Sequence, residues 1–179
     1  TALQAFTQAG NQVYFLAGNR DFVLGQEFLN RFGGQLLQEP HFLTWQGLRL
    51  RLEHGDSLCT DDVSYQRFKK IIRNPVVLGV LKGLPFALKQ KLGSFFRSKS
   101  REHQSQNHYQ PIDVNMAEVQ RQMQGIDVLI HGHTHRPEIQ SLPHNKTRIV
   151  LGDWRENEGS AYILELGSSP QLVLSQWTI

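Results

Sequence analysis

Val128-Leu129-Ile130-His131-Gly132-His133-Thr134-His135 is the stretch on which the fold and the chemistry turn. A β-rich apolar run ends in Gly-His-x-His, so two imidazoles stand at i and i+2 on a loop where both can face one ion. A neutral imidazole suits Mn, Fe, Ni or Zn, whereas Mg prefers oxygen. An isolated His-x-His is more often a surface or core pair. Here a third histidine, His131, and two similar strand ends favour a site.

Those two are Val13–Ala17 before Gly18-Asn19-Arg20-Asp21, and Leu48–Leu52 before His54-Gly55-Asp56. Functional groups in α/β sheets gather beyond the carboxyl ends of strands, where loops converge. The three clusters are therefore expected to meet in one crevice. Asn19 offers an amide oxygen to a divalent ion, Arg20 a planar donor fork for phosphate oxygens, and Asp56 a carboxylate to orient His54. Taken alone, Gly-Asn-Arg-Asp is most often a turn.

Around these runs the pattern predicts helices over 2–9, over Gln26–Phe32 stopped by Gly33-Gly34, and over Val114–Met123 with Asp113 as N-cap and Gly125 as stop. Arg148–Leu151, Ala161–Leu166 and Gln171–Trp177 read as closing strands. No repeat or coiled-coil heptad is visible.

At 179 residues and 39% hydrophobic, the chain is long enough for one domain with a core. Its net charge of +3 hides an uneven distribution. Residues 63–101 carry ten basic residues (Arg67, Lys69, Lys70, Arg73, Lys82, Lys89, Lys91, Arg97, Lys99, Arg101) and no Asp or Glu, which leaves −7 on the remainder. Such a segment points to an anionic partner: nucleic acid, a lipid headgroup surface or a phosphorylated substrate. The single cysteine, Cys59, excludes an intrachain disulfide framework and reads as a small buried hydrophobe. Val76–Leu88 is interrupted by Lys82 and two glycines and falls short of the roughly 20 apolar residues that span a bilayer.

Prolines at 75 and 85 favour helix starts, so residues 75–97 read as a pair of short helices inserted between strand clusters, followed by a serine-rich loop over 98–111. Residues 66–111 are thus expected to form a basic and apolar helical cap, with an ordinary amphipathic hairpin bearing a solvated basic face as the alternative. The first strand arrives after only a short helical lead from Thr1, so the chain reads as one entered midway.

The combination resembles the calcineurin-like metallophosphoesterases, whose motifs run Asp-x-His, Gly-Asp, Gly-Asn-His/Arg, a lone His, and Gly-His-x-His along successive strand ends. Gly18-Asn19-Arg20-Asp21, His54 and Gly132-His133-Thr134-His135 match the last three. The resemblance implies an α/β sandwich of β-sheets flanked by helices with a helical cap insertion, here a single partial domain over 1–179 lacking the first strand units. Within that superfamily the chain is most similar to the UDP-2,3-diacylglucosamine hydrolases of lipid A synthesis. Gly-Asn-Arg-Asp-Phe (18–22), His-Gly-Asp-Ser-Leu-Cys-Thr-Asp-Asp-x-x-Tyr (54–65), Ile-Asp-Val-Asn (112–115), His-Gly-His-Thr-His-Arg-Pro (131–137) and Leu-Gly-Asp-Trp (151–154) follow that family in order.

What the resemblance implies is specific. Asn19, His54, His133 and His135 are ligands to a pair of Mn²⁺ ions; Asn19, Arg20 and His133 are catalytic. Asn19, Arg20, Asp62, Tyr65, Arg97, Ser100, Gln104, Asn107 and His133 contact the substrate, Gln104 and Asn107 standing where relatives commonly place cationic or related polar groups. The activity implied is hydrolysis of the pyrophosphate of UDP-2,3-diacylglucosamine to UMP and 2,3-diacylglucosamine 1-phosphate, by water activated between two metals. The enzyme would sit peripherally on the cytoplasmic face of the bacterial inner membrane, held by its anionic surface, with no nucleic acid partner. Without the family's upstream carboxylates, the chain alone is expected to hold metal weakly and to turn over little. Two other readings remain: a metallophosphoesterase acting on a different nucleotide or a phosphoprotein, and a metal-poor module that docks on membrane or nucleic acid.

Overall fold

A computed structural model describes all residues except 20, 23, 86, 87, 89, 90, 92, 93, 95–112, 169, 170 and 179. It divides into two compact units, Thr1–Leu58 with Val114–Ile179, and Cys59–Asp113.

In the first unit, α1 (Ala2–Gln8) is capped by Thr1, whose hydroxyl oxygen accepts from the Gln4 amide, and is followed by β1 (Tyr14–Leu16). Helix α2 (Gln26–Asn30) then returns the chain to β2 (Gln35–Leu37), which pairs in parallel with β1. Parallel neighbours need such a crossover. β3 (His41–Trp45) and β4 (Leu48–Glu53) form a hairpin whose two turn residues, Gln46 and Gly47, both have positive φ (51° and 80°). That backbone twist matches the twist of the flanking strands.

The chain re-enters this unit through a helix over Met116–Gln122, β5 (Val128–His131), and the β6 (Glu138–Leu142)/β7 (Lys146–Val150) hairpin. The five-stranded sheet runs β3-β4-β5-β7-β6, with β4, β5 and β7 parallel in the centre and antiparallel strands at the edges. β8 (Trp154–Arg155), β9 (Ser160–Leu166) and β10 (Leu172–Thr178) make an antiparallel sheet. One face of the central sheet presents Leu50, Val128, Ile130 and Ile149, and Leu164, Leu166 and Leu172 pack against them. This is the α/β sandwich expected from the sequence. The opposite face is buried as well and mixes Leu129 and Val150 with polar groups: Arg51, Glu53, His131 and Arg148 are each at most 8% exposed.

The helix before β5 starts two residues later than its sequence suggests. Asn115, not Asp113, is its N-cap, with Oδ1 accepting from the Ala117 and Glu118 amides at 3.0 and 3.2 Å. Val114 is buried rather than wound into the first turn, and Asp113 is exposed.

The second unit, taken by itself, contains α3 (Val63–Ile72) and α4 (Pro75–Gly83). Asp62 caps α3 and Asn74 caps α4, where Pro75 occupies the first turn as its fixed φ favours. Cys59 is buried. Val63, Phe68, Ile71, Val76 and Val80 are exposed. The helix expected after Pro85 lies largely outside the described residues, and the serine-rich loop over 98–111 lies wholly outside them. No helix among the described residues is long and apolar enough to cross a membrane.

Candidate metal-binding site

Neighbouring parallel strands bring the histidine loops together. Glu53, the last residue of β4, is in register with His131, the last of β5, so His54 and His133 leave adjacent strand ends. The Gly132 amide donates to the His54 carbonyl at 2.9 Å and ties the two loops. Inside this junction the ring nitrogens His54 Nε2 and His133 Nδ1 are 3.3 Å apart, with the rings nearly perpendicular at 74°. Asn19 arrives from the end of β1, its amide nitrogen 3.5 Å from the same His133 Nδ1. A half-turn of the carboxamide would put Oδ1 in that position.

Local sequence explains the approach. A Cβ on Gly18 would lie 3.0 Å from the His54 ring and 3.0 Å from an Asp21 oxygen, so any larger residue would press on both side chains where the Asn19 loop approaches. Gly55 has φ +105°, and a Cβ there would lie 2.7 Å from His131 Nδ1. His133 and His135 themselves adopt left-handed backbone, φ 67° and 54°, at about 1–2 kcal/mol each for residues with a Cβ. Strain of this kind persists only where surrounding structure enforces it.

The other histidines of the motif separate. His131 is 1% exposed and belongs to the sheet: Arg148 Nε donates to its Nε2 at 2.9 Å, and its Nδ1 is 2.9 Å from the Gly132 carbonyl. It is a structural group rather than a third imidazole of the cluster. His135 directs Nδ1 to Asp153 Oδ2 at 3.4 Å. Partial burial is the largest single influence on Asp153 and works against its charge, but the hydrogen bond from Arg155, a backbone hydrogen bond and the charges of His135 and Arg155 together hold the carboxyl below the usual carboxylate range. Asp56 is fully buried, and the His54 amide donates to Glu39. Neither Glu39 nor Asp153 was assigned a role from the sequence, although Asp153 lies in the quoted Leu-Gly-Asp-Trp run.

Asp62 and Tyr65 lie on the second unit, where Asp62 Oδ1 accepts from the Tyr65 amide at 2.9 Å. Arg20, Arg97, Ser100, Gln104 and Asn107 lie outside the described residues. Among the described residues, no three His, Cys, Asp or Glu side chains converge on a common point. What converges is two imidazoles and an amide. This donor set fits one end of a divalent-ion cage: at Zn–N distances of about 2.0–2.1 Å, two imidazole nitrogens on one tetrahedral ion stand roughly 3.3–3.4 Å apart.

No protein-family model matches the chain. It is 40% identical over 171 residues to the UDP-2,3-diacylglucosamine hydrolase of Pseudomonas fluorescens strain SBW25, an alignment covering 93% of this chain and 69% of the relative. The chain belongs to the UDP-2,3-diacylglucosamine hydrolase family. Members from Ectopseudomonas mendocina strain ymp and Pseudomonas entomophila strain L48 are 43% and 38% identical, over 86% and 93% of this chain and 65% and 71% of theirs. The chain thus spans about two thirds of the length of these family members.

Proposed function

We propose that this chain carries the family's hydrolysis of UDP-2,3-diacylglucosamine, releasing UMP and 2,3-diacylglucosamine 1-phosphate in lipid A synthesis. The observation that carries the proposal is the meeting of Asn19, His54 and His133 with ring nitrogens 3.3 Å apart, in a chain of this family. Asn19, His54, His133 and, beside them in sequence, His135 would hold divalent ions, which we take to be two Mn²⁺. When bound, such ions polarise phosphoryl oxygens and bring the pKa of water toward roughly 7.

The chain's own residues do the remaining work. Water attacks the phosphorus nearest uridine, a new P–O bond forms, and the bridging P–O bond breaks with the sugar phosphate as leaving group. Arg20 offers its planar fork to the equatorial oxygens, where charge builds, and His133 stands next to the same oxygens. Asp62, Tyr65, Arg97, Ser100, Gln104 and Asn107 are assigned to the sugar, nucleotide and headgroup portions. The relatives' names do not favour a different nucleotide, a phosphoprotein or a purely binding role.

The test is turnover by the protein at its natural length, in detergent micelles with Mn²⁺. UDP-2,3-diacylglucosamine is expected to be cleaved to UMP, and its non-acylated UDP-sugar counterpart far more slowly. Equal rates on the two would remove the lipid substrate from the proposal.

The acyl chains and the membrane surface are assigned to the second unit. Its exposed Val63, Phe68, Ile71, Val76 and Val80 can cover methylenes at about 0.8 kcal/mol each. Ten basic residues over 63–101 can face anionic headgroups at about 1 kcal/mol apiece. On this reading the protein would sit peripherally on the inner membrane's cytoplasmic face. Co-sedimentation with phosphatidylglycerol vesicles is expected to weaken as salt rises. Equal binding to neutral vesicles would rule out the electrostatic part.

A further inference from the structure

We propose that Asp153 is a positioning residue for His135: its carboxylate takes the proton-bearing Nδ1 of the ring and leaves Nε2 as the nitrogen presented to a divalent ion. The inference rests on the reading of His135 as a ligand and adds the residue that sets its tautomer. Asp153 Oδ2 is 3.4 Å from His135 Nδ1, the carboxylate oxygen facing that ring nitrogen within ion-pair distance. An imidazole that donates from one nitrogen binds metal through the other, and its partner fixes both the ring orientation and its basicity.

The carboxylate is itself built in. β5 and β7 are parallel neighbours, and the Leu151 amide donates to the His131 carbonyl at 2.7 Å, so both loops leave the sheet side by side. Arg155 Nε donates to Asp153 Oδ1 at 2.9 Å, and an Arg155 terminal nitrogen reaches Glu158 at 3.1 Å. Oδ1 is thereby committed, and Oδ2 is the oxygen turned to His135. Between the β7 strand and Asp153, Gly152 lies so close to Tyr162 that a Cβ would stand 2.2 Å from its ring. The glycine lets the chain pass under the ring and deliver the aspartate. A half-exposed ion pair made for stability alone would contribute little.

Asp153→Asn is the sharp variant because it keeps the shape. Arg155 holds Oδ1, so the amide nitrogen faces His135 and donates to Nδ1, which forces the proton onto Nε2. Nitrogen-15 correlation spectra of the metal-free protein at pH 8 are expected to show an Nδ1–H tautomer at His135 in the parent and Nε2–H in the variant. Calorimetric titration with Mn²⁺ is expected to show about 10–100-fold weaker binding in Asp153→Asn, the range seen when such partners are removed. His135→Ala, titrated alongside, separates the two layers. Unchanged Mn²⁺ affinity in His135→Ala would overturn the ligand reading and this inference with it. A loss in His135→Ala beside unchanged affinity or tautomer in Asp153→Asn would overturn the positioning role alone.

Discussion

Replacing His133 with alanine is expected to lower turnover of UDP-2,3-diacylglucosamine by on the order of 10³-fold or more, about 4 kcal/mol of barrier at 1.36 kcal/mol per decade. His133 is the shared member of the cluster, in contact with both His54 at 3.3 Å and Asn19 at 3.5 Å. Its loss removes a donor and leaves the other two without the group that joins them. Even a group that only orients a ligand costs 10–100-fold when removed. The fold should survive, because the ring is partly exposed and its loop stays tied through the Gly132 amide and the His54 carbonyl. The decisive measurement pairs kcat with a thermal melt. Activity within tenfold of the parent in a folded His133→Ala protein would remove the imidazole cluster from the chemistry.

The clusters were legible because each sits where an apolar run stops, and β4 and β5 turned out to be hydrogen-bonded neighbours with in-register ends. His133 and His135 were legible as the site's histidines, but what His131 does was not. His131 is one alternation out of phase with Ile130, so it falls on the polar face beside Arg148 and is consumed there. Only the strand order reveals that partner, since Arg148 comes from β7. Asp153 was hidden for the same reason: a carboxylate after a short strand has no periodic signature, and its value depends on β5 and β7 being adjacent.

Misread boundaries have equally local causes. Asp113 and Asn115 are both competent caps, and the choice between them was settled by burial of Val114, a tertiary effect. β3 was missed although His41–Trp45 alternates in burial, because a five-residue edge strand between a Glu-Pro pair and a tight turn carries little pattern of its own. β6, with Glu138 and Ser141 exposed and Gln140 bonded to Arg148, is too polar to read as a strand and is recruited by pairing with β7. Edge strands answer to their neighbours more than to their own composition.

Glu53→Ala is expected to destabilise the sheet by about 3–5 kcal/mol, because it strips a buried cation of its partner. Glu53 is 4% exposed and Arg51 8%. Arg51 Nε donates to Glu53 Oε1 at 2.9 Å, and the Ser57 hydroxyl donates to Oε2 at 2.7 Å. Alanine leaves the guanidinium and the hydroxyl without that carboxylate. The guanidinium also lies over the Phe42 ring, 5.7 Å from its centroid, a contact that cannot replace an anion. The charge of Arg51 also acts on Glu118, as the weakest of the influences on that carboxyl. Its carboxyl is held below the usual range first by the hydrogen bond from Arg121, so it is already committed. For a chain of this length each kcal/mol moves Tm by roughly 2–4 °C. The paired change Arg51→Met with Glu53→Leu removes both charges at once and is expected to be near neutral, since the cost lies in the orphaned ion rather than in the lost bond. If Glu53→Ala melts within a degree or two of the parent, water must reach Arg51, and the polar face that carries His131 beneath the site is not sealed.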